Sequence, residues 1–114
     1  MADTIEQHRL ERQQPASRRA AIVTELEAHA SEIRMLGVTS LALFGSRARG
    51  DERQDSDLDV LIEYDPERPF TLYDLVRVGR LLEDLTGLKV HVATRDGFRR
   101  HRLERVLKDA VNVL

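Results

Sequence analysis

The stretch LALFGSRARGDERQDSDLDVLIEY, residues 41–64, constrains the fold of this chain more than any other. It contains most of two apolar runs, 38–44 and 58–64, which are bounded by turn-forming residues and are too short to favour helices. Each run therefore predicts a β-strand. The residues between the runs are rich in Gly, Ser, Arg and Asp, and they predict a loop that ends in two carboxylates, Asp57 and Asp59.

Helical periodicity precedes the first predicted strand and follows the second. Apolar residues recur near helical spacing between Pro15 and Gly37, which predicts one continuous helix with a glycine stop. The residues of this apolar face are Ile22, Leu26, Ala30 and Ile33. Thr71 and Asp74 fit a capping box and predict a second helix that ends at Gly87. Its apolar stripe consists of Leu72, Leu75, Val76, Gly79 and Leu82.

The remainder of the chain predicts a third strand over residues 88–94 and a final helix capped by Asp96. The apolar face of that helix consists of Leu103, Val106, Leu107, Ala110, Val111 and Leu114. This element order predicts an α+β domain, α/β-like in its alternation, with a small three- to four-stranded mixed sheet packed by helices. We expect the domain to span residues 17–114. Residues 1–16 form an N-terminal extension, in which 3–14 could be a short polar helix.

Composition excludes several classes of protein. A length of 114 residues suits one domain. The net charge of -2 gives no overall positive field, so we expect no direct binding of nucleic acid. No apolar stretch approaches the roughly 20 residues of a membrane helix, and the absence of cysteine rules out disulfides and thiolate metal sites. The first residues lack the apolar centre of a secretory signal, so we expect a cytoplasmic location.

The two carboxylates predict a metal site. Because side chains alternate along a strand, Asp57 and Asp59 point to one face, about 6.5–7 Å apart along the chain, while Leu58, Val60 and Ile62 point to the other. Like charges at this distance repel one another unless a cation lies between them, and paired oxygens suit Mg²⁺ or Mn²⁺. The alternative is an edge strand whose alternating charges face solvent.

Gly45 and Ser46 end the first strand and predict a phosphate-binding bend. A glycine lets backbone N–H groups approach an anion, and the serine hydroxyl adds a further donor. If the two strands are neighbours, this bend and the carboxylates meet at one end of the sheet. The alternative is an ordinary exit from a strand into a turn.

GSRARG followed by SDLDV resembles the signature of the minimal nucleotidyltransferases of the DNA polymerase beta superfamily. The resemblance covers roughly residues 20–114 in element order, and it implies the polymerase beta-like palm fold. Short proteins of this kind commonly act as antitoxins that transfer AMP from ATP to a tyrosine of a HEPN-domain ribonuclease toxin. By the resemblance, Gly45 and Ser46 hold the triphosphate, Asp57 and Asp59 ligate Mg²⁺, and Arg49 braces the loop or contacts phosphate.

One position departs from the family pattern, which has a third Asp on the third strand where this chain has His91. An imidazole can ligate a transition metal or take a proton near pH 7, but it is a poor bridging ligand for Mg²⁺. His91 is therefore either a catalytic residue or a partly buried histidine, and Asp51 and Asp55 are possible substitutes. The alternative function is a weak or inactive nucleotidyltransferase-fold antitoxin that neutralises its partner by binding alone.

Two further groups of residues leave alternatives open. The basic segment 97–105, GFRRHRLER, is either a solvated helix face or a contact for ATP phosphates or an acidic partner. Arg47 and Arg53 are expected to be solvated loop charges. The aromatic residues Tyr64, Phe70 and Tyr73 could form a partner surface, with at least one of them in the core.

Overall fold

The computed structural model describes the backbone of residues 15–114 and the side chains from Arg18 onward. The helix considered at residues 3–14 lies outside the described residues, and the division at residue 17 stays a prediction. The first half comprises helices α1 (Pro15–Ala28) and α2 (Ala30–Met35), strand β1 (Val38–Phe44), the short helix α3 (Gly45–Arg49) and strand β2 (Leu58–Tyr64). The second half comprises helix α4 (Leu72–Thr86), strand β3 (Val90–Thr94), a 3₁₀ turn (Arg95–Gly97), helix α5 (Arg100–Asp109) and strand β4 (Val111–Asn112).

The four strands form one mixed sheet in the order β3-β2-β1-β4. β1 is antiparallel to both β2 and β4, whereas β2 and β3 are parallel. The predicted mixed sheet packed by helices is thus confirmed, and β1 and β2 have the predicted bounds. Within the described chain, none of the helices combines the length and apolar character needed to cross a membrane.

The hydrophobic core lies between the helices and one face of the sheet. Leu58, Val60 and Ile62, which alternate along β2, are fully buried there. Burial of side chains of this size contributes about 1.5–3 kcal/mol each relative to exposure. Leu26 of α1 and Leu82 of α4 complete this core from the helical side. β2 is therefore fixed in register by its apolar face, and this register also determines where Asp59 lies.

The first predicted helix is interrupted at His29, so the expectation of one continuous helix is wrong. The amide of His29 donates to the Leu26 carbonyl at 3.1 Å, a three-residue spacing, instead of to Glu25. The His29 Nδ1 donates to the Glu25 carbonyl at 3.0 Å and takes the place of that amide. This hydrogen bond also raises the pKa of His29. The side chain thus competes with the helical backbone and separates α1 from α2.

The segment after β1 is helical at its start, not a continuous loop. Residues Gly45–Arg49 form α3, which ends at Gly50 in the left-handed conformation with a φ of 86°. A left-handed glycine after the last turn satisfies the terminal carbonyls of a helix without steric cost. The last three residues of the GSRARG motif therefore form the end of this helix.

The C-terminal prediction is wrong in two respects. Asp96 does not cap the final helix, because it lies in the 3₁₀ turn and accepts a hydrogen bond from the Tyr64 hydroxyl at 2.8 Å. Helix α5 ends at Asp109, and Val111 instead pairs with Leu43 of β1. The edge of β1 that faces away from β2 has backbone groups that need partners. Residues 111 and 112 pair with this edge and therefore form a strand, not a further turn of helix.

Helix α4 begins and ends as predicted, but its buried face is rotated. The Thr71 hydroxyl accepts from the Asp74 amide, and the Asp74 carboxylate accepts from the Thr71 amide, which completes the capping box. Leu82 is buried as expected, whereas Leu72 is 76% exposed and Val78, outside the predicted stripe, is buried. The helix packs against α1 and β3 together, and Leu81 and Leu85 join Val78 on the face that makes these contacts.

Thr71→Ala removes the cap of α4 and is expected to lower the free energy of unfolding by about 1 kcal/mol, since the Asp74 amide loses its acceptor. Thr71→Ser keeps the hydroxyl and should lose only a few tenths of that amount. Urea denaturation followed by circular dichroism measures both variants. Equal stability of the alanine and serine variants would contradict the assignment of this cap.

Candidate active site

Three strands bring the site residues together at one end of the sheet. Asp59, the second residue of β2, is paired with Phe44 at the end of β1 and with His91 near the start of β3. Gly45 follows Phe44 directly. The candidate phosphate-binding bend and Asp59 are therefore neighbours because of strand register, as the sequence anticipates for adjacent strands.

Gly45 lies directly against the Asp59 carboxylate. Its φ is +72°, and a Cβ added to it would overlap the Asp59 carboxylate oxygen. Both the backbone conformation and the close approach therefore require glycine at this position. Because α3 begins at Gly45, the amides of its first turn have no acceptor within the helix. An acidic side chain thus lies beside the start of a helix.

The electrostatics at Asp59 favour a cation. Burial raises the pKa of Asp59, and the charge of Asp57 raises it further, while His91 and Arg49 act in the opposite direction. Mg²⁺ is commonly held by one or two carboxylates together with substrate phosphates. Asp57 and Asp59 beside the free amides of α3 fit that arrangement. Among the described residues, no group of three or more His, Asp or Glu side chains forms a site that could hold a metal by itself.

His91 contacts the first of the two carboxylates. Its Nε2 lies 2.7 Å from Asp57 Oδ2, and since an ionised carboxylate only accepts, the ring nitrogen donates this hydrogen bond. The other ring nitrogen is left as an acceptor in the neutral imidazole. Of the possible substitutes for a third carboxylate, Asp51 accepts from Arg49 Nε at 3.1 Å and Asp55 is exposed on the loop.

A cleft of about 910 Å³ opens beside this end of the sheet. Asp59 and His91 lie on one side of it. The other residues that line it include the apolar Phe44, Leu75, Val92 and Phe98 and the basic Arg99, His101, Arg102 and Arg105. The segment 97–105 therefore contributes to the cleft, although its residues alone could not distinguish this position from a solvated face. The sequence does contain one sign of this position: the arginines that line the cleft are spaced three residues apart.

Arg49 links α3 to the loop that follows it and to the end of α5. Its Nε donates to Asp51 Oδ2 at 3.1 Å, and its Nη1 lies 3.8 Å from Asp109 Oδ2 at the end of α5. It also lines a smaller cleft together with Gly45. These contacts fit the bracing role that the resemblance implies for Arg49. Because Arg49 lines the same small cleft as Gly45, it would be near a phosphate bound there.

Arg47 is a buried residue that sequence reasoning missed. It is only 6% exposed, and its guanidinium donates two hydrogen bonds to the Ser56 carbonyl, at 3.0 and 2.8 Å. The expectation of a solvated charge is therefore wrong. The loop that precedes Asp57 has no apolar anchor, and a buried cation holds its carbonyl groups instead. From α1, Arg18 contacts Glu52 of the same loop, and Arg19 donates to the Ala48 carbonyl of α3.

Comparisons with known proteins identify the family of this chain. The model of the nucleotidyltransferase domain family matches residues 22–113. The chain belongs to this family. Because its relatives are nucleotidyltransferases, the protein is an enzyme of this class. The resemblance to the minimal members of the DNA polymerase beta superfamily is confirmed.

Two relatives show how similar the chain is to named members. It is 34% identical over 89 residues to the protein adenylyltransferase MntA of Thermococcus cleftensis, covering 77% of this chain and 88% of that protein. It is 37% identical over 78 residues to a provisionally named protein adenylyltransferase of Methanocaldococcus jannaschii, covering 68% of this chain and 82% of that protein.

Two solved structures share the fold. A structure provisionally described as a minimal nucleotidyltransferase is 34% identical and superposes with a TM-score of 0.65, covering 86% of this chain and 94% of that one. A chain in a crystal structure of a toxin–antitoxin with AMP-PNP has a TM-score of 0.62 at 14% identity, covering 77% of this chain and 72% of that one. At that identity the second likeness concerns the fold alone.

Gly45→Ala and Gly87→Ala form a matched pair that tests the contact at Asp59. Both glycines have a positive φ, of 72° and 70°, so both variants should lose about 1–2 kcal/mol of stability to backbone strain. A Cβ at Gly87 meets nothing within 4 Å, whereas one at Gly45 overlaps the carboxylate. We expect only Gly45→Ala to lose magnesium-dependent ATP binding, measured by calorimetric titration. Equal binding by the two variants would contradict a site at Gly45.

Proposed function

We propose that this nucleotidyltransferase transfers AMP from ATP to a hydroxyl group, a tyrosine side chain, of a HEPN-domain toxin, and so acts as the antitoxin of that protein. The proposal follows the resemblance of the GSRARG and SDLDV motifs and the names of the relatives, which are protein adenylyltransferases. The toxin–antitoxin complex that shares the fold is consistent with such a partner. In this proposal the protein works in the cytoplasm, as a hetero-oligomer with its toxin.

The observation that carries the proposal is the contact between Gly45 and the Asp59 carboxylate at the edge of the cleft. Amides that have no acceptor within the helix favour phosphate, and adjacent carboxylates favour a divalent cation. A nucleoside triphosphate with its metal is the ligand that needs both groups side by side. An edge strand with solvated charges would not require a glycine at this point.

Each side chain then has a role. Asp57 and Asp59 hold Mg²⁺ or Mn²⁺, and Gly45 and Ser46 hold the triphosphate through backbone N–H groups and a hydroxyl. The bound cation supplies charge neutralisation at the phosphates and makes the acceptor hydroxyl more acidic. Arg49 keeps α3 in place against α5 through its contacts with Asp51 and Asp109.

The transfer can be written with its bonds balanced. The acceptor oxygen forms a bond to the α-phosphorus, and the bond from that phosphorus to the oxygen that bridges to the β-phosphate breaks. Pyrophosphate leaves with that electron pair. The hydroxyl proton passes to the free ring nitrogen of His91, whose Nε2–H is held by Asp57 as a carboxylate holds a catalytic imidazole in other enzymes.

Labelled ATP tests the proposal. With ATP labelled at the α-phosphate, the partner toxin should become labelled, and with ATP labelled at the γ-phosphate it should not, because pyrophosphate leaves. Asp59→Asn is expected to lower the transfer rate at least about a hundredfold, since charge stabilisation at the phosphates is lost. Asp55→Asn makes the same change of charge at an exposed loop position outside the cleft and should keep the wild-type rate.

A second candidate function is neutralisation by binding alone, and the observation in its favour is that His91 stands where the family has its third Asp. The same experiment separates the two. If the chain inhibits the ribonuclease activity of the toxin without labelling it, and Asp59→Asn inhibits equally well, the protein is a binding module. Transfer that disappears with Asp59→Asn supports the enzyme.

His91→Ala tests the role of the imidazole. Removal of a general base typically costs about 10²- to 10⁴-fold in rate, so transfer should fall by that order while ATP binding is kept. His91→Asp returns the carboxylate of the family pattern and should recover part of the loss. Transfer rates come from single-turnover measurements at saturating ATP. An alanine variant with the wild-type rate would remove His91 from the mechanism.

A further inference from the structure

Helix α5 and Arg99, the residue that precedes it, carry a row of arginines that borders the cleft. Arg99, Arg102 and Arg105 are three residues apart and all line the cleft that contains Asp59 and His91. Residues at this spacing lie on one side of a helix, about 4.5 Å apart along its axis. Helix α5 packs against β1 and α3, so the row is held by the same elements that hold Gly45.

These arginines lack the ion pairs that neutralise their neighbours. Among residues 18–114, none of the three makes an ion pair or hydrogen bond with a carboxylate, and Arg102 lies 5.7 Å from the centre of the Phe98 ring. Arg100 of the same helix, which does not line the cleft, has Glu104 at 3.8 Å. In the described part of the chain, the three arginines that line the cleft therefore have no carboxylate partner, and neither has Lys108 of the same helix.

The row also reaches the candidate phosphate-binding bend. Arg102 and Arg105 line a second cleft of about 500 Å³, whose other residues include Gly45, Arg49 and Asp109. Phe44 borders both clefts, so they adjoin at this point. A polyphosphate that extends from Gly45 would therefore run along Arg102 and Arg105.

We propose that Arg102 and Arg105, assisted by Arg99, bind the β- and γ-phosphates of the nucleotide and stabilise the pyrophosphate that leaves. Guanidinium groups are suited to this task because they stay charged and can donate two parallel hydrogen bonds to one phosphate. The inference deepens the proposed function and rests on it. In this inference, the three arginines make the site bind a triphosphate in preference to a monophosphate.

Equilibrium binding of three probes tests the assignment. ATP, pyrophosphate and AMP are titrated calorimetrically into the wild-type protein with Mg²⁺ present. Arg105→Gln is the main variant, because Arg105 makes no side-chain hydrogen bond, ion pair or ring contact in the described part of the chain. A hydrogen bond to a charged group contributes about 1.5–3 kcal/mol, so Arg105→Gln should weaken ATP and pyrophosphate about ten- to hundredfold. Binding of AMP should change less than about twofold.

Two further variants control for charge and folding. Arg100→Gln removes the same charge from the opposite side of α5 and should leave all three affinities unchanged. Arg102→Lys/Arg105→Lys keeps the charges but not the paired donors, and it should recover part of the lost affinity. Thermal unfolding checks each variant, and the exposed positions of these residues predict melting temperatures close to the wild type.

The outcomes separate this inference from the proposed function. If wild-type protein binds pyrophosphate through Arg105 but labels no partner, the row binds phosphate and the proposed transfer is wrong. If transfer occurs and Arg105→Gln binds ATP as tightly as wild type, the row is not a phosphate site. Loss of transfer in that variant with unchanged ATP binding would assign the row to an acidic partner instead. Equal weakening of AMP and ATP would also overturn the inference.

Discussion

The approach of the Asp59 carboxylate to the α-carbon of Gly45 is the contact on which the rest of the site depends. It follows from the antiparallel pairing of β1 with β2, which sets Phe44 opposite Asp59 and leaves the next residue of the chain beside that carboxylate. The apolar side of β2 is fully buried, so a shift of register by one residue would turn Asp59 into the core. The packing of one face of the sheet thus determines where the Asp59 carboxylate lies on the other face.

The cleft is lined by side chains of both charges. Asp59 lines it from β2, and Arg102 and Arg105 line it from α5. An anionic ligand that carries its own cation complements both kinds of charge at once, whereas a bare anion or a bare cation complements only one. Burial already raises the pKa of Asp59, so the acidic side has most to gain from a bound cation. A metal-bound nucleotide, the ligand expected for a nucleotidyltransferase, carries both kinds of charge.

Local rules account for the parts of the fold that the sequence predicts. β1 and β2 are short apolar runs between turn residues, and α4 has both a capping box and a glycine stop, so each can be recognised without the rest of the chain. The features that were missed depend on tertiary contacts. The interruption at His29 requires a side-chain hydrogen bond to a backbone carbonyl, and β4 forms only because β1 has a free edge.

The candidate site divides in the same way. Gly45, Ser46, Asp57 and Asp59 could be chosen because their spacing matches a known motif, and adjacent strands then bring Gly45 and Asp59 into contact. The burial of Arg47 could not be anticipated, since arginines in polar loops are usually solvated and nothing local distinguishes it from Arg53. Which side of α5 meets the cleft depends in turn on how that helix packs on β1 and α3.

The pairing of β4 with β1 has a consequence for biosynthesis. Leu43 belongs to the first strand of the sheet and Val111 to the last, so β1 lacks one of its two neighbours until nearly the whole domain has been translated. Contacts between residues so distant in the chain form slowly and late. A chain still bound to the ribosome would therefore expose one edge of β1. β4 could pair with that edge only after α5 and β4 have emerged from the exit tunnel.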